Sequence, residues 1–140
     1  MKTKFDPTIF LGKGWRIESD NGFNPSDLSG ITIGNYLKEG EEYITGEVAL
    51  ERSQKAGDKS LNADVFLRLW ENQKLIPKEW HEVAYNGYIE FMGTILRHPH
   101  GRRHFLYLSR LGDGSWYWDY HWLDSDRYRD NVSPLLASNT

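Results

Sequence analysis

The sequence predicts an α+β domain built on an antiparallel β-meander at about residues 88–123, with helices from the central region packed on one face. Two turn-forming stretches, 98–101 and 112–114, divide this region into three runs of about nine residues. Large aromatic side chains alternate along the third run with the two-residue period of a strand. They are Trp116, Trp118, Tyr120 and Trp122. The remainder of the chain is expected to pack on this sheet.

The length and composition limit the kind of protein. A chain of 140 residues is close to the commonest domain size, so one domain with its own core is expected. Cysteine is absent, which excludes disulfides, thiolate metal sites and a cysteine nucleophile. The first residues of the sequence have no apolar segment of signal-peptide length, and no stretch approaches the roughly 20 apolar residues of a membrane span. We therefore expect a cytoplasmic, soluble protein with no membrane partner.

Helices are predicted between residues 45 and 80. Thr45 is placed to cap a helix that runs to about Lys55 and ends before Gly57. Asn62 is placed to cap a second helix, whose apolar side chains recur at helical spacing. These side chains are Val65, Phe66, Leu69 and Trp70. Pro77 ends this helix and can begin another helical turn, and the apolar stripe is expected to cover one face of the meander.

The two ends of the chain carry less regular patterns. A short strand is expected at 14–18, and the turn-forming residues of 20–30 are typical of a surface loop. The brief apolar run at 31–37 fits either a strand or a helical turn. We expect the first 45 residues to add one or two edge strands and the tail, 124–140, to lie back over the sheet.

The alternation within the meander predicts which side chains share a face. Ile89, Phe91 and Ile95 are expected on one face of the first strand. The second strand is apolar on both faces, which is typical of a central strand. If the turn at 112–114 is an even-numbered loop, Phe105 and Tyr107 share a face with Trp118, Tyr120 and Trp122. A three-residue loop would invert this pairing.

Several short motifs together resemble a group of uncharacterised bacterial proteins. The motifs are Phe10-Leu11-Gly12-Lys13-Gly14-Trp15, Trp70-Glu71-Asn72-Gln73, Leu75-Ile76-Pro77, Gly93-Thr94-x-Leu96-Arg97-x-Pro99-x-Gly101, Gly114-x-Trp116-x-Trp118, Trp122-Leu123 and Ser133-Pro134-Leu135-Leu136-Ala137-Ser138. The resemblance covers most of the chain. It implies a complete single-domain bacterial protein, and it implies no activity, ligand or site residue.

The charge distribution marks a candidate binding site in the meander. Residues 18–64 carry ten acids and four bases, whereas 97–110 carry four arginines, three histidines and no acid. The candidate residues are Arg97, His98, His100, Arg102, Arg103 and His104, together with Asp119 and His121 on the third strand. Guanidinium groups beside aromatic rings suit phosphates and unpaired bases, which favours nucleic acid as one partner. Alternatively, the acidic and basic regions neutralise each other within the fold.

The histidines raise two further hypotheses. With an even loop, His104 and His121 share a face with Asp119, which would suit acid-base chemistry on a phosphodiester held by nearby arginines. His98 and His100 form a His-x-His pair, but a zinc site needs roughly three or four protein ligands. We expect histidines that are exposed or hydrogen-bonded at a turn, and hence no catalytic residue, no metal and no cofactor.

The function that the sequence favours is binding without catalysis. We expect the basic hairpin and the adjacent sheet to contact a protein partner or a second copy of the chain. Nucleic-acid binding is the first alternative, and an acid-base phosphodiesterase is the second. Most of the alternating aromatic side chains are expected in the core, with one or two at the rim available to a partner.

Overall fold

The computed structural model describes residues 4–138 and has the α+β architecture that the sequence predicts. Within this range the helices are α1 (Pro7–Phe10), α2 (Gly46–Ala56), α3 (Ala63–Glu71) and α4 (Lys78–Tyr85), with a 3-10 turn at Gln73–Leu75. The strands are β1 (Arg16–Asp20), β2 (Thr32–Gly34), β3 (Ile44–Thr45), β4 (Lys59–Ser60), β5 (Tyr88–Arg97), β6 (Arg103–Arg110), β7 (Trp116–Trp122), β8 (Asp126–Arg127) and β9 (Asn131–Leu136). No helix in this part of the chain has the length and apolar character that crossing a membrane requires.

Strands β5, β6 and β7 form the predicted antiparallel meander, and β6 lies at its centre. The main sheet has the order β2-β9-β5-β6-β7. On the edge that does not pair with β6, β5 has two partner strands. Its first residues pair with β9 in parallel, and its last residues pair with β1 antiparallel. β1 and β2 are thus the edge strands expected from the first 45 residues. The prediction that the tail lies back over the sheet is wrong, because β9 is itself a strand of the sheet, between β2 and β5.

The predicted caps fix the central helices. The Thr45 hydroxyl accepts a hydrogen bond from the Val48 amide at 3.2 Å, and Gly57 ends α2 in the left-handed conformation with φ 74°. The Asn62 side chain accepts hydrogen bonds from two amides in the first turn of α3. Pro77 immediately precedes α4. Local side-chain chemistry therefore determines where these helices begin.

The sheet separates two apolar clusters. On the first face, α3 and α4 pack against the meander as predicted, and the cluster includes Phe66, Trp80, Phe91, Leu96 and Leu106. On the second face, α2 packs through Ala49 against a smaller cluster, which includes Met92, Ile95, Phe105 and Leu123. Helices therefore contact both faces of the meander, with the larger core under α3 and α4.

The loop between β6 and β7 is odd-numbered, so the even-loop pairing is wrong. Arg110 pairs with Trp116, which leaves residues 111–115 as the loop. The loop is closed by a 2.9 Å hydrogen bond from the Leu111 amide to the Ser115 carbonyl oxygen. Consequently Tyr107 lies opposite Asp119, whereas Trp118 and Tyr120 lie opposite Leu108 and Leu106 on the first face.

A β-bulge in β5 exchanges the two faces along this strand. The register with β6 shifts between Phe91 and Leu96, which places Ile95 with Met92 on the second face. The prediction that Ile95 shares a face with Ile89 and Phe91 is therefore wrong. The bulge surrounds Gly93, whose backbone donates to the Leu61 carbonyl oxygen and accepts from the Asn21 amide. A Cβ atom at Gly93 would lie 2.5 Å from the Ser60 carbonyl oxygen, so this close approach requires glycine.

The aromatic strand β7 is only partly in the core, because it is an edge of the sheet. Trp116 and Trp118 are half-buried and pack against the large cluster on the first face. Tyr120 is 38% exposed. The side chains at this end of β7 thus remain accessible to a partner.

Candidate functional site

Two of the predicted site arginines are held by acidic side chains of the same chain. Arg97 and Arg103 both donate to the Glu18 carboxylate on β1, and the Arg103 Nε–Oε2 distance is 2.7 Å. Arg103 also pairs with Glu47 at the start of α2. Burial raises the pKa of Glu18, but the hydrogen bonds from Arg103 and Arg97 together lower it by more. The net pKa of Glu18 is therefore below its usual value. The proposed neutralisation between the acidic and basic regions accounts for these two arginines.

Arg110, the last arginine of the basic run, is also engaged. Its Nε donates to the Gly114 carbonyl oxygen at 2.9 Å, and its guanidinium lies over the rings of Tyr85 and Trp116. Arg110 therefore stabilises the loop between β6 and β7 through its hydrogen bond to Gly114.

Arg102 differs from the other arginines of the basic run. Its guanidinium carbon lies 4.0 Å from the ring centroid of Trp122, which is a stacking distance. Arg102 is exposed, and within residues 4–138 no carboxylate forms an ion pair with it. The charge of Arg102 is therefore exposed to solvent while its guanidinium is stacked on the Trp122 ring.

Three histidines surround this arginine in one cluster of rings. The ring centroids of His98 and His100 are 5.0 Å apart, and those of His104 and Tyr120 are also 5.0 Å apart. Trp15 lies beneath the cluster and contacts His98, His104 and Tyr120. We call the surface formed by His98, His100, Arg102, His104, Tyr120 and Trp122 the hairpin patch. A cleft of about 260 Å³ opens among its residues.

The histidines of the hairpin patch also shape the turn. The His98 Nδ1 atom accepts a hydrogen bond from the His100 amide at 3.0 Å. His104 is only 6% exposed, and its Nδ1 donates to the Arg102 carbonyl oxygen at 3.2 Å. Burial lowers the pKa of His104, the hydrogen bond to the Arg102 carbonyl oxygen raises it, and the nearby His98 and Arg102 side chains lower it again, so that its net pKa is below the usual value. His104 is therefore a structural support for Arg102. It lies buried within β6, whereas His98 and His100 occupy the turn, where histidines are expected.

Asp119 and His121 lie on the second face, away from the hairpin patch. The odd loop places His104 opposite Trp122 and His121 opposite Phe105, so His104 and His121 occupy opposite faces of the sheet. The prediction that His104 shares a face with His121 and Asp119 is therefore wrong. The carboxylate beside His121 is that of Glu90, whose Oε2 accepts from Nδ1 at 3.3 Å.

Glu90 is the centre of a buried polar cluster that the sequence analysis did not identify. Its carboxylate accepts from the Arg127 guanidinium at 2.7 Å and from the Asn131 amide group at 2.9 Å, in addition to His121. Its side chain has no exposed surface. The sequence does contain an indication of this cluster, since Glu90 stands between Ile89 and Phe91 in an otherwise apolar strand. A carboxylate buried in such a strand needs a counter-charge.

The histidines and acids do not assemble a metal site within the described chain. Across residues 4–138, no group of three or more His, Asp or Glu side chains has a geometry that could hold a metal ion. His98 and His100 are separated by the sheet from Asp119 and His121. The eight predicted site residues thus form two arrangements: six lie at the hairpin, in the hairpin patch or in pairs with Glu18, and Asp119 and His121 lie on the second face, where His121 contacts Glu90.

The fold and these two arrangements define an α+β protein with a cationic aromatic surface on one side of its sheet and a polar cluster on the other. No model of a known protein family, no curated protein and no solved structure matches the chain. Its function is therefore inferred from the geometry of its own residues.

Proposed function

We propose that the protein is a binding module that recognises an acidic segment of a partner protein through the hairpin patch. The observation that carries this proposal is the Arg102 guanidinium stacked on Trp122 at 4.0 Å. Arginine and tryptophan are enriched among the residues that dominate protein interfaces. A guanidinium that forms no ion pair with a carboxylate among residues 4–138 is suited to a charge-assisted, bidentate hydrogen bond with a partner's carboxylate.

The charge balance at the hairpin favours a protein partner over a nucleic acid. Arg97 and Arg103 are neutralised by Glu18 and Glu47, so Arg102 is the arginine of this group that remains available. Nucleic-acid binding rests on several phosphate contacts, each made by a cationic side chain. One available guanidinium beside aromatic rings is better matched to one carboxylate and a neighbouring apolar side chain.

Acid-base catalysis on a phosphate ester has less support. His121 lies beside Glu90, whose charge is matched by Arg127, and on the same face as Asp119, whose carboxylate would repel a phosphate. The Arg127 guanidinium, which is the cation on this face, is itself bound to Glu90. A catalytic role for His121 in such a reaction would lack the positive charge that stabilises a phosphoryl transition state.

The proposal is tested with two labelled probes, a peptide of alternating glutamate and phenylalanine and an oligothymidylate, each titrated at about 150 mM salt. Fluorescence anisotropy measures binding to the wild type and to Arg102→Ala. Arg129→Ala is the matched control, because Arg129 is exposed and lies outside the hairpin patch. We expect the peptide to bind, Arg102→Ala to weaken it by at least about tenfold, and the control to bind as the wild type does.

Three results would overturn the proposal. Preferential binding of the oligothymidylate, lost in Arg102→Ala, would indicate nucleic acid as the partner. A mass that rises with protein concentration in light scattering, and falls to the monomer in Arg102→Ala, would indicate a second copy of the chain. Absence of binding to either probe, with a monomer at all concentrations, would remove the hairpin patch as a binding surface.

A further inference from the structure

A second cleft lies on the second face of the sheet and reaches the edge strand β7, where it shares Tyr120 with the hairpin patch. It has a volume of about 220 Å³ and is lined by tyrosines together with His121, Asp126 and Asn131. We call it the tyrosine cleft and define its aromatic part as Tyr88, Tyr107 and Tyr128. The ring centroids of Tyr88 and Tyr107 are 4.9 Å apart and the rings are nearly perpendicular, so they present two walls at an angle. The His121 ring lies 6.1 Å from that of Tyr107.

The polar cluster around Glu90 lies directly behind these walls. Tyr107 pairs with Glu90 across β5 and β6, and Asn131 both lines the cleft and donates to Glu90. The Arg127 guanidinium donates to Glu90, to the Asn35 carbonyl oxygen and to the Asn131 carbonyl oxygen. Because its charge is matched by Glu90 and it is 1% exposed, Arg127 does not make the cleft positive.

The remaining charges at the cleft are negative. Asp126 lines the cleft and is exposed, and Asp119 lies opposite Tyr107 in the β6–β7 pairing. Neither carboxylate forms a salt bridge with any of residues 4–138. Burial is the main cause that raises the pKa of the Tyr107 hydroxyl, and the charge of Asp119 raises it further.

We propose that the tyrosine cleft binds an organic cation, with an alkylammonium group seated against the rings of Tyr88, Tyr107 and Tyr128, which line it. Aromatic faces attract cations, and each favourable contact contributes about 0.5–2 kcal/mol depending on desolvation. The Asp126 carboxylate at the rim attracts the same charge. A cleft of about 220 Å³ is smaller than the pockets that bind drug-sized molecules, and it suits a small ammonium head group.

The ammonium group could belong to a free small molecule or to a lysine side chain, and the probes separate these sources. Choline is the first probe, and a short peptide with trimethylated lysine is the second. The control ligand is 3,3-dimethylbutanol, which has the shape of choline without its charge. Binding is measured by titration calorimetry at up to about 10 mM ligand, because a single small site is expected in the millimolar to micromolar range.

We expect choline to bind and 3,3-dimethylbutanol not to bind. Tyr128→Leu and Asp126→Asn should each weaken choline binding at least about fivefold, since each removes a ring or a charge from the cleft. Both residues are exposed, so neither change threatens the core. The control variant is Tyr85→Leu, because Tyr85 is an exposed tyrosine that lies beside Arg110 and outside the cleft. Its choline affinity should equal that of the wild type.

The relative affinities of the two probes show whether the ammonium group belongs to a protein side chain or to a free small molecule. A methylated peptide that binds at least about tenfold tighter than choline would assign the ammonium to a protein side chain, whereas equal affinities would assign it to a free small molecule. Equal binding of choline and its neutral analogue would overturn the proposal, because the cleft would then be merely apolar. Absence of binding of both cations, or unchanged affinity in Tyr128→Leu and Asp126→Asn, would overturn it as well. Tyr120 lines both clefts, but Tyr128 and Asp126 do not belong to the hairpin patch, so the outcomes for these variants are distinguishable from those for Arg102→Ala.

Discussion

Glu90 and Arg127 form a buried ion pair between residues that are 37 positions apart in the chain. The Arg127 Nη2 and Glu90 Oε1 atoms are 2.6 Å apart, and the side chains are 1% and 0% exposed. Such a pair holds β5 to the segment that leads into β9. Each charge depends on the other, because an isolated ion in the protein interior is far less stable than the same ion in water.

We expect Arg127→Met to lower the free energy of unfolding by about 3–5 kcal/mol, because Glu90 would keep its buried charge without a counter-ion. Urea denaturation at neutral pH measures the change. Arg129→Met is the matched control, because Arg129 is exposed, and its effect should stay within about 0.5 kcal/mol. A loss of less than about 1 kcal/mol in Arg127→Met would contradict the importance that we give to this pair.

Gly93→Ala should destabilise the protein by about 1–3 kcal/mol, because the new methyl group would collide with backbone at the bulge. The nearest atom, the Ser60 carbonyl oxygen, would be 2.5 Å away. Gly112→Ala is the control, since a Cβ atom there meets no other atom within 4 Å. Thermal unfolding of the two variants compares them directly. Equal transition temperatures would show that the bulge can move to accept a side chain.

Asn62→Ala should cost about 0.5–2 kcal/mol, because the first amides of α3 would lose their acceptor. The Asn62 side chain also donates to Asp20 at 3.0 Å, which links the helix to the end of β1. Asn72→Ala is the comparison, because the Asn72 side chain caps no amide of the 3-10 turn that follows it. A loss in urea stability confined to Asn62→Ala is the expected result, and equal losses would contradict the capping role.

The stability of the protein should fall as the pH drops below about 6.5, in part because of His104. Burial lowers its pKa in the folded state, so the unfolded chain binds a proton more readily between the folded pKa and the ordinary value of 6.5. The contribution of His104 is complete above this window and decreases through it as the pH falls. His104→Gln should therefore reduce the loss of stability between about pH 7.5 and pH 5.5.

Urea titrations at several pH values test this expectation for His104. His100→Gln is the matched control, because His100 is exposed in the same turn. The control should keep the pH dependence of the wild type. If His104→Gln also keeps it, other groups account for the titration and our assignment to His104 fails.

The sequence predicted those parts of the fold that depend on neighbouring residues. Thr45 and Asn62 are the N-cap residues of α2 and α3, and the turns at 98–101 and 112–114 separate the strands of the meander. The position of β9 was missed for a physical reason. It is a short strand interrupted by Pro134, and a proline within an apolar run usually indicates a strand at the edge of a sheet or none at all.

The pairing of faces could not be derived from alternation alone. A loop longer by one residue, or a bulge such as that at Gly93, reverses every side chain that follows it. The contacts that decide this, from Gly93 to Leu61 and Asn21, join segments far apart in the chain. For the same reason the sequence indicates the basic hairpin and its neutralisation by the acidic region, whereas the particular partners, Glu18 and Glu47 for the arginines and Arg127 for Glu90, are visible only in three dimensions.

The shared edge of β5 has a consequence for synthesis on the ribosome. A nascent chain that has completed β7 contains Glu90, but it lacks Arg127 and the β9 strand that pairs with Tyr88 and Ile89. Until those residues emerge, the start of β5 has unpaired backbone groups and Glu90 has no counter-charge. We therefore expect the sheet to reach its final form after translation of β9, so that folding is completed late, and not progressively from the N-terminus.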